Sequence, residues 1–530
     1  MSAANIESAP VLIAGQWQPS SADKTFQAAN PAAGEMLPTH FPVSNWDDCD
    51  RALTAACQAA EQLRQLPAES IAAFLEAYAA QLEAHSEALC HIANAETALP
   101  IKPRLADVEL PRTAGQLRQA AAAARSGSWA QAVIDTKQGI RACYEAIGPV
   151  CVFGPNNFPF AFNSSSGGDF AAAIAAGNPV IAKANTSHPG TTQLLSELAA
   201  KALQETGLPA ATLQLIYRTS HADGARLVAD PRVGAIGYTG SRQAGLVLKA
   251  AADAAGKPIY LELSSINPVV ILPGALSERC DEIVGEYVTS GLMGTGQFCT
   301  NPGLIVLIKG SHSDRFLSEV TAKYQAAPAG VLLSTAVQKS LTAAIETVTK
   351  AGARLLCGGQ AVPGKCSVAN TLLQVAADKF LAKPEEFQTE AFGNAALVVV
   401  ADDVAQLADV LRSLEGNLTG CIYSSKQGAD DDAYGQLAPL LARRVGRLLN
   451  DKMPTGVAVS PAMNHGGPFP ATGHPGFTAV GIPASLFRFA KLTCYDGIRH
   501  ARLPKLLQDK NPTGQTWRCV DLRWTTNDVS

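Results

Sequence analysis

The sequence predicts an α/β protein in which helix-covered parallel sheets are divided among two or three domains. Three observations carry this. At 530 residues the chain exceeds what one hydrophobic core organises. Short apolar runs alternate with helical patterns from about residue 148 to 271, and again from about 270 to 455. A hairpin pattern near 130–146 and a proline-broken polar tail beyond Leu492 stand outside both series.

Taken in order, the segment from Trp46 to about Ala124 repeats alanine, leucine and glutamine at three- and four-residue spacing, so it reads as helices with breaks at Pro67, Pro100 and Pro111. Around Lys137-Gln138-Gly139 apolar and polar residues alternate, which is a β-hairpin pattern whose edges need a partner. Next come the strand-like runs GPVCVFG, NPVIAKAN, LQLIY, VGAIGYTG, KPIYLELS and NPVVIL. Helices separate them, the first two starting near Gly167 and Gly190. Such alternation implies βαβ units and a parallel sheet. The tail reads as an arm docked on another element.

Composition excludes several classes. Apolar residues make up 47% and charged residues 17%, as in a compact enzyme rather than a disordered chain. The net charge of −4 offers no broad basic surface to nucleic acid or anionic membrane. The stretch MSAANIESAPVLIAGQWQPS has no basic region followed by an apolar one, and no run is long enough to span a bilayer. The 12 cysteines lack paired spacing, so reduced thiols in a cytoplasm are expected.

One thiol stands apart. In GLMGTGQFCTNPG, residues 291–303, Cys299 lies among glycines rather than in an aliphatic run, and no cysteine or histidine stands at metal-ligand spacing. Gly291, Gly294, Gly296 and Gly303 are expected to let the backbone approach a ligand. No metal is expected, and a reactive thiol competes with an inert buried one.

Read in order with GPNNFPF (154–160), YLELSSINP (260–268) and TEAFGNAA (389–396), the GQFCTNPG segment resembles the aldehyde dehydrogenase superfamily. The resemblance runs from IAGQWQP near residue 13 to GPFPAT near 470. It extends to the NADP-dependent bacterial branch that includes α-ketoglutaric semialdehyde and fatty aldehyde dehydrogenases, since LELSSINP replaces the commoner LELGGxxP and HGGPFPAT follows PTGV. It implies a Rossmann-type cofactor domain (1–128 and 148–262), an α/β catalytic domain (263–470) and oligomerisation elements (129–147 and 485–530). A homodimer or homotetramer in the cytoplasm is expected.

The same resemblance implies the site. Cys299 would attack the aldehyde carbon, Asn157 would donate to the oxyanion, and Glu262 would activate water on the thioester. At the end of an apolar strand an unpaired glutamate is costly unless it has chemical work; the alternative is an ion pair with a distant lysine. Lys183 would reach the adenosine ribose. Tyr238-Thr239-Gly240-Ser241 with Gly245 would turn into a helix beneath the pyrophosphate. Glu390 and Phe392 would hold the nicotinamide ribose. Two serines, Ser264 and Ser265, replace the usual glycines near the nicotinamide. Thr186 stands where NAD-preferring relatives carry a glutamate, and Arg218 follows the strand LQLIY, so NADP is the expected cofactor with some NAD use.

For the substrate, a diacid semialdehyde needs a cation, for which Arg112 and Arg118 are candidates; each could equally face solvent. A fatty aldehyde needs apolar walls, for which Phe158, Phe160 and Phe162 are candidates. Two further alternatives are a catalytically silent protein of this fold and acyl transfer to coenzyme A, which retention of Glu262 disfavours.

Overall fold

The computed structural model describes residues 8–530. Residues 1–7, the start of the stretch in which no targeting segment is expected, lie outside the described residues.

The first sheet has seven strands in the order Ile259–Glu262, Ala235–Thr239, Val150–Phe153, Val180–Lys183, Leu213–Ile216, Val11–Ile13 and Gln16–Gln18. The first five are parallel; Val11–Ile13 pairs antiparallel with the fifth and forms a hairpin with Gln16–Gln18. Chain order reverses beside Val150–Phe153, whose neighbours are the second and the fourth parallel strands in sequence. Open sheets of this kind bind ligands at the carboxyl ends of their strands beside such a reversal. Register aligns those ends: Thr239 faces Glu262, Phe153 faces Lys183 and Lys183 faces Ile216. Strand cores such as Val150, Ile181, Leu215 and Ile236 are fully or almost fully buried, as expected where helices cover both faces.

The second sheet also has seven strands, with Arg354–Cys357 antiparallel at one edge and the other six parallel: Thr371–Ala376, Ala395–Ala401, Leu304–Ile308, Pro268–Ile271, Asn417–Tyr423 and Val445–Asn450. Its strands present their amino ends to the cleft. Cys299 lies just before Leu304, and Glu390 and Phe392 just before Ala395. The two sheets therefore face each other carboxyl ends to amino ends.

The expected helices occupy Trp46–Leu63, Ala68–Ala84, Ser86–Thr97 and Leu110–Ser126, with a wider helical stretch at Ile101–Glu109. Pro67 and Pro100 stand at breaks, but Pro111 lies in the first turn of Leu110–Ser126, where its missing N–H costs nothing.

The hairpin Val133–Asp135 and Ile140–Ala146 is present. The tail docks on it from both sides. Ala490–Asp496 pairs with Ile140–Ala146, and Arg518–Val520 runs parallel to Val133–Asp135, making a five-stranded sheet closed by Arg523–Thr525. Hairpin and tail share a small apolar cluster of Ala130, Ala132, Ile134, Cys143, Leu503 and Leu507. Arg518 lies wholly inside the tail, donating to the carbonyls of Gln508, Asp509 and Asn527. Among the described residues no helix is long and apolar enough to cross a membrane.

Candidate active site

Cys299 sits in the loop between the helix Pro273–Leu292 and the strand Leu304–Ile308. The loop is pinned from several directions. Asn267 Nδ2 donates to the carbonyls of Cys299 (2.8 Å) and Asn301 (2.9 Å), and Gln297 Oε1 accepts from the Leu333 amide at 2.8 Å. The glycines serve protein packing here. A Cβ on Gly296, whose φ is +68°, would stand 2.1 Å from the Gly393 carbonyl oxygen, and one on Gly303 would stand 3.3 Å from that of Ile266. Backbone meets backbone where a ligand contact was expected.

Glu262 ends its strand almost completely buried. Its partner is neither absent nor a lysine. Oε1 lies 2.9 Å from His465 Nε2, and the same nitrogen lies 3.4 Å from Cys299 Sγ. His465 is buried, with its amide donating to Thr478 Oγ1. Burial alone would pull its pKa down; the charges of Glu262 and Cys299 outweigh it and raise the pKa to about 10. His465 Nε2 thus stands between carboxylate and sulfur, where both charges favour its protonated form. Glu262 Oε2 has no partner among the described residues. Sequence reasoning missed His465, although the quoted HGGPFPAT contains it. The donor atoms of Glu262, Cys299 and His465 lie within 4.8 Å of one another, so a set that could ligate a metal exists where local spacing offered none.

Asn157 is buried, and its Nδ2 donates to the Gln297 carbonyl at 3.0 Å, two residues before Cys299. Its turn is built by Glu109, which accepts from the amides of Phe160 (2.8 Å) and Ala161 (3.0 Å) and pairs with Arg104 at 2.5 Å. Arg104 donates in turn to the Asn157 carbonyl at 3.0 Å.

The remaining candidates line the carboxyl edge of the first sheet and the facing loops. Lys183 ends a strand; burial, and then Arg218, push its pKa down to about 8. Arg218 and Thr186 are exposed, and Arg218 has no ion pair among the described residues. The Gly240 amide donates to the Glu262 carbonyl at 3.1 Å, and Ser241 caps the helix Arg242–Ala254 through the Ala244 amide. Gly245 lets that helix lie close, since a Cβ there would come within 2.5 Å of Leu263. Glu390 and Phe392 line one cavity with Ser265, Gly296 and Phe298. Packing around the Glu390 carboxyl raises its pKa to about 8, although part of the side chain stays open.

Two of the substrate candidates, Arg118 and Phe160, stand away from the thiol. Arg118 is spent on a two-pronged surface pair with Glu83, both contacts 2.6 Å. Phe160 is fully buried in the core of the first sheet, so only Phe158 and Phe162 join Phe298 in the apolar cluster near the thiol. Ser265 Oγ is bonded to Asn267 Oδ1 (2.8 Å) and Asn417 Oδ1 (3.1 Å), which ties it to the pins of the cysteine loop. All twelve cysteines are free.

Comparison with known proteins agrees with this geometry. The sequence model of the aldehyde dehydrogenase family matches residues 17–437. An α-ketoglutaric semialdehyde dehydrogenase of Azospirillum brasilense is 41% identical over 92% of this chain and 94% of its own length. One of Acinetobacter baylyi is 36% identical over 89% of this chain and 90% of its own. Lactaldehyde dehydrogenase from Escherichia coli superposes with a TM-score of 0.79 at 22% identity, covering 92% of this chain and 98% of that one, which speaks to the fold. Match and identity over this much of its length mean that the chain belongs to the aldehyde dehydrogenase family.

Proposed function

We propose that this protein oxidises an aldehyde to a carboxylic acid with NADP, accepting NAD less well, and that its substrate is the semialdehyde of a short diacid such as α-ketoglutaric semialdehyde. The carrying observation is the Cys299–His465–Glu262 cluster, with Sγ to Nε2 at 3.4 Å and Nε2 to Oε1 at 2.9 Å. The extent of identity with two α-ketoglutaric semialdehyde dehydrogenases supports the substrate class.

The residues divide the work as follows. Cys299 sulfur attacks the aldehyde carbon to give a thiohemiacetal, and the His465 imidazolium beside it stabilises negative charge as the attack proceeds. Asn157 Nδ2 uses one N–H on Gln297 and keeps the other for the developing oxyanion. A nicotinamide held by Glu390 and Phe392 would supply the hydride acceptor, so that the acyl group would remain on Cys299 as a thioester. Glu262 then takes a proton from water through Oε2, the oxygen that His465 leaves free. Water attack releases the acid and regenerates the thiol. A silent protein of this fold would have no use for an open carboxylate oxygen buried beside a thiol.

For the cofactor, Lys183 and Arg218 form a cationic corner with no ion pair among the described residues, which fits a 2′-phosphate. Thr186 adds a neutral hydroxyl there. Gly240, Ser241 and Gly245 shape the helix start for the pyrophosphate, and Glu390 with Phe392 takes the nicotinamide ribose. The three sheets serve as cores of the cofactor, catalytic and oligomerisation domains. Subunits pair as a dimer or a dimer of dimers through the third sheet, whose outer strands expose Leu492 (62%) and Trp524 (52%). A cytoplasmic setting agrees with twelve free thiols.

The test is a kcat/KM panel of α-ketoglutaric semialdehyde, succinic semialdehyde, glutaraldehyde and long-chain aldehydes, each with NADP and NAD, followed by absorbance of the reduced cofactor. Highest values for the semialdehydes with NADP are expected. Preference for long-chain aldehydes would sink the substrate, and a tenfold preference for NAD would sink the cofactor assignment.

A further inference from the structure

Arg112 stands in the first turns of the helix Leu110–Ser126 and points over two aromatic rings, its guanidinium carbon 5.7 Å from the centre of Phe158 and 5.3 Å from that of Phe162. Those rings form the apolar cluster with Phe298, and Phe162 lies 5.8 Å from the His465 ring. Arg112 therefore lies against the aromatic cluster that flanks His465, near enough to Cys299 to feel its charge. Gln116 fixes it: Gln116 Oε1 accepts from Arg112 Nε at 3.2 Å, while Gln116 Nε2 donates to the Ala161 carbonyl at 3.1 Å.

Arg112 lies beside the thiol cluster and has no ion pair among the described residues. Arg104 is paired with Glu109, and Arg447 donates to the carbonyls of Pro454 and Gly456. Arg118, on the same helix, is spent on Glu83. Arg112 Nη2 is enclosed with no partner among the described residues. Burial pushes its pKa below the usual guanidinium value, against the opposing charges of Cys299, Glu109 and Glu262. A guanidinium donor held away from water is costly unless an acceptor arrives, and a hydrocarbon tail offers none.

We infer that Arg112 selects the substrate by taking the far carboxylate of a short aldehyde acid on its free guanidinium edge while the aldehyde carbon reaches Cys299. This rests on the aldehyde-oxidising reading above. Phe158 and Phe162 hold the guanidinium plane, and Gln116 holds its Nε, so the two terminal nitrogens remain for an anion. The same arrangement works against fatty aldehydes. Their chains would cover the cation without satisfying it.

The experiment compares glutaric semialdehyde with pentanal, equal in carbon number and differing in the carboxylate, in the wild type, Arg112→Met and Arg112→Lys. The ratio of kcat/KM for acid over neutral aldehyde should fall about thirtyfold in Arg112→Met, mostly through KM of the acid, as expected for loss of a charge-assisted hydrogen bond. Arg112→Lys should recover part of the ratio, because it keeps the charge but not the planar fork. Glutarate, which carries no aldehyde, should slow alkylation of Cys299 by iodoacetamide in the wild type and not in Arg112→Met. A wild type that favours the acid, with a ratio that changes less than about threefold in both variants, overturns the assignment of Arg112 and leaves the semialdehyde reading standing. A wild type that favours pentanal overturns both. If Arg112→Met does not fold, the ratio in Arg112→Lys and glutarate protection of the wild type decide, and absence of both effects rejects the assignment.

Discussion

The two ends of the cleft treat charge in opposite ways. At the reacting end opposite charges meet inside the chain: His465 lies between Glu262 and Cys299, and Arg104 meets Glu109. At the end proposed for adenosine, cation meets cation. Lys183 is pushed down to about 8 by burial and by Arg218, and neither cation has an ion pair among the described residues. Like charges held together cost folding energy, and such sites mark where a ligand of opposite sign is due. The difference teaches that chemistry here is assembled beforehand from residues already paired, while recognition is left to residues whose partner comes from outside. Arg112 belongs with the second group although it stands beside the first.

This contrast can be broken at several points. The largest effect is expected from Cys299→Ser, which should reduce turnover to below about one per cent while cofactor binding, measured by fluorescence titration, stays near wild type. Activity above that level removes Cys299 from the reacting end. Next, Glu262→Gln should lower the steady-state rate about a hundredfold or more, yet permit a first burst of reduced cofactor, because thioester formation precedes the need for the base. Stopped-flow traces with neither burst nor stall would assign Glu262 another role. At the other end, Arg218→Ala should raise KM for NADP about tenfold to a hundredfold and leave KM for NAD nearly unchanged. Equal changes for both cofactors would mean that the cationic corner does not read the phosphate.

The smallest effect concerns pH. His465 is raised from 6.5 to about 10 in the folded chain, so the native state keeps a proton that the unfolded chain releases above about 6.5. The stability it contributes is whole below about 6.5 and is lost as pH rises through about 10. His465→Gln should flatten this decline in melting temperature. Parallel decline in both proteins would show that the imidazolium does not link the cluster to folding.

The βαβ alternation was legible because most of the strands are short apolar runs bounded by glycine, proline or asparagine, and the hairpin because alternation brackets Lys137-Gln138-Gly139. Cys299, Glu262 and Asn157 were legible through motifs that stay local in sequence. His465 was not. It lies 166 residues from Cys299 and 203 from Glu262, in a glycine- and proline-rich stretch with no periodicity, and only the docking of that stretch against the first sheet brings it in. Arg112 and Arg118 look alike in the helix pattern. Their fates differ because Glu83, on a neighbouring helix, reaches one and not the other.

The contact between Gly296 and Gly393 has a mechanical consequence. Main chain meets main chain there, so the segment bearing the thiol and the segment bearing Glu390 and Phe392 are in register with each other at that contact, with no side chain of either glycine between them. A methyl group added at residue 296 would therefore act as a wedge, parting both segments at once rather than disturbing one of them.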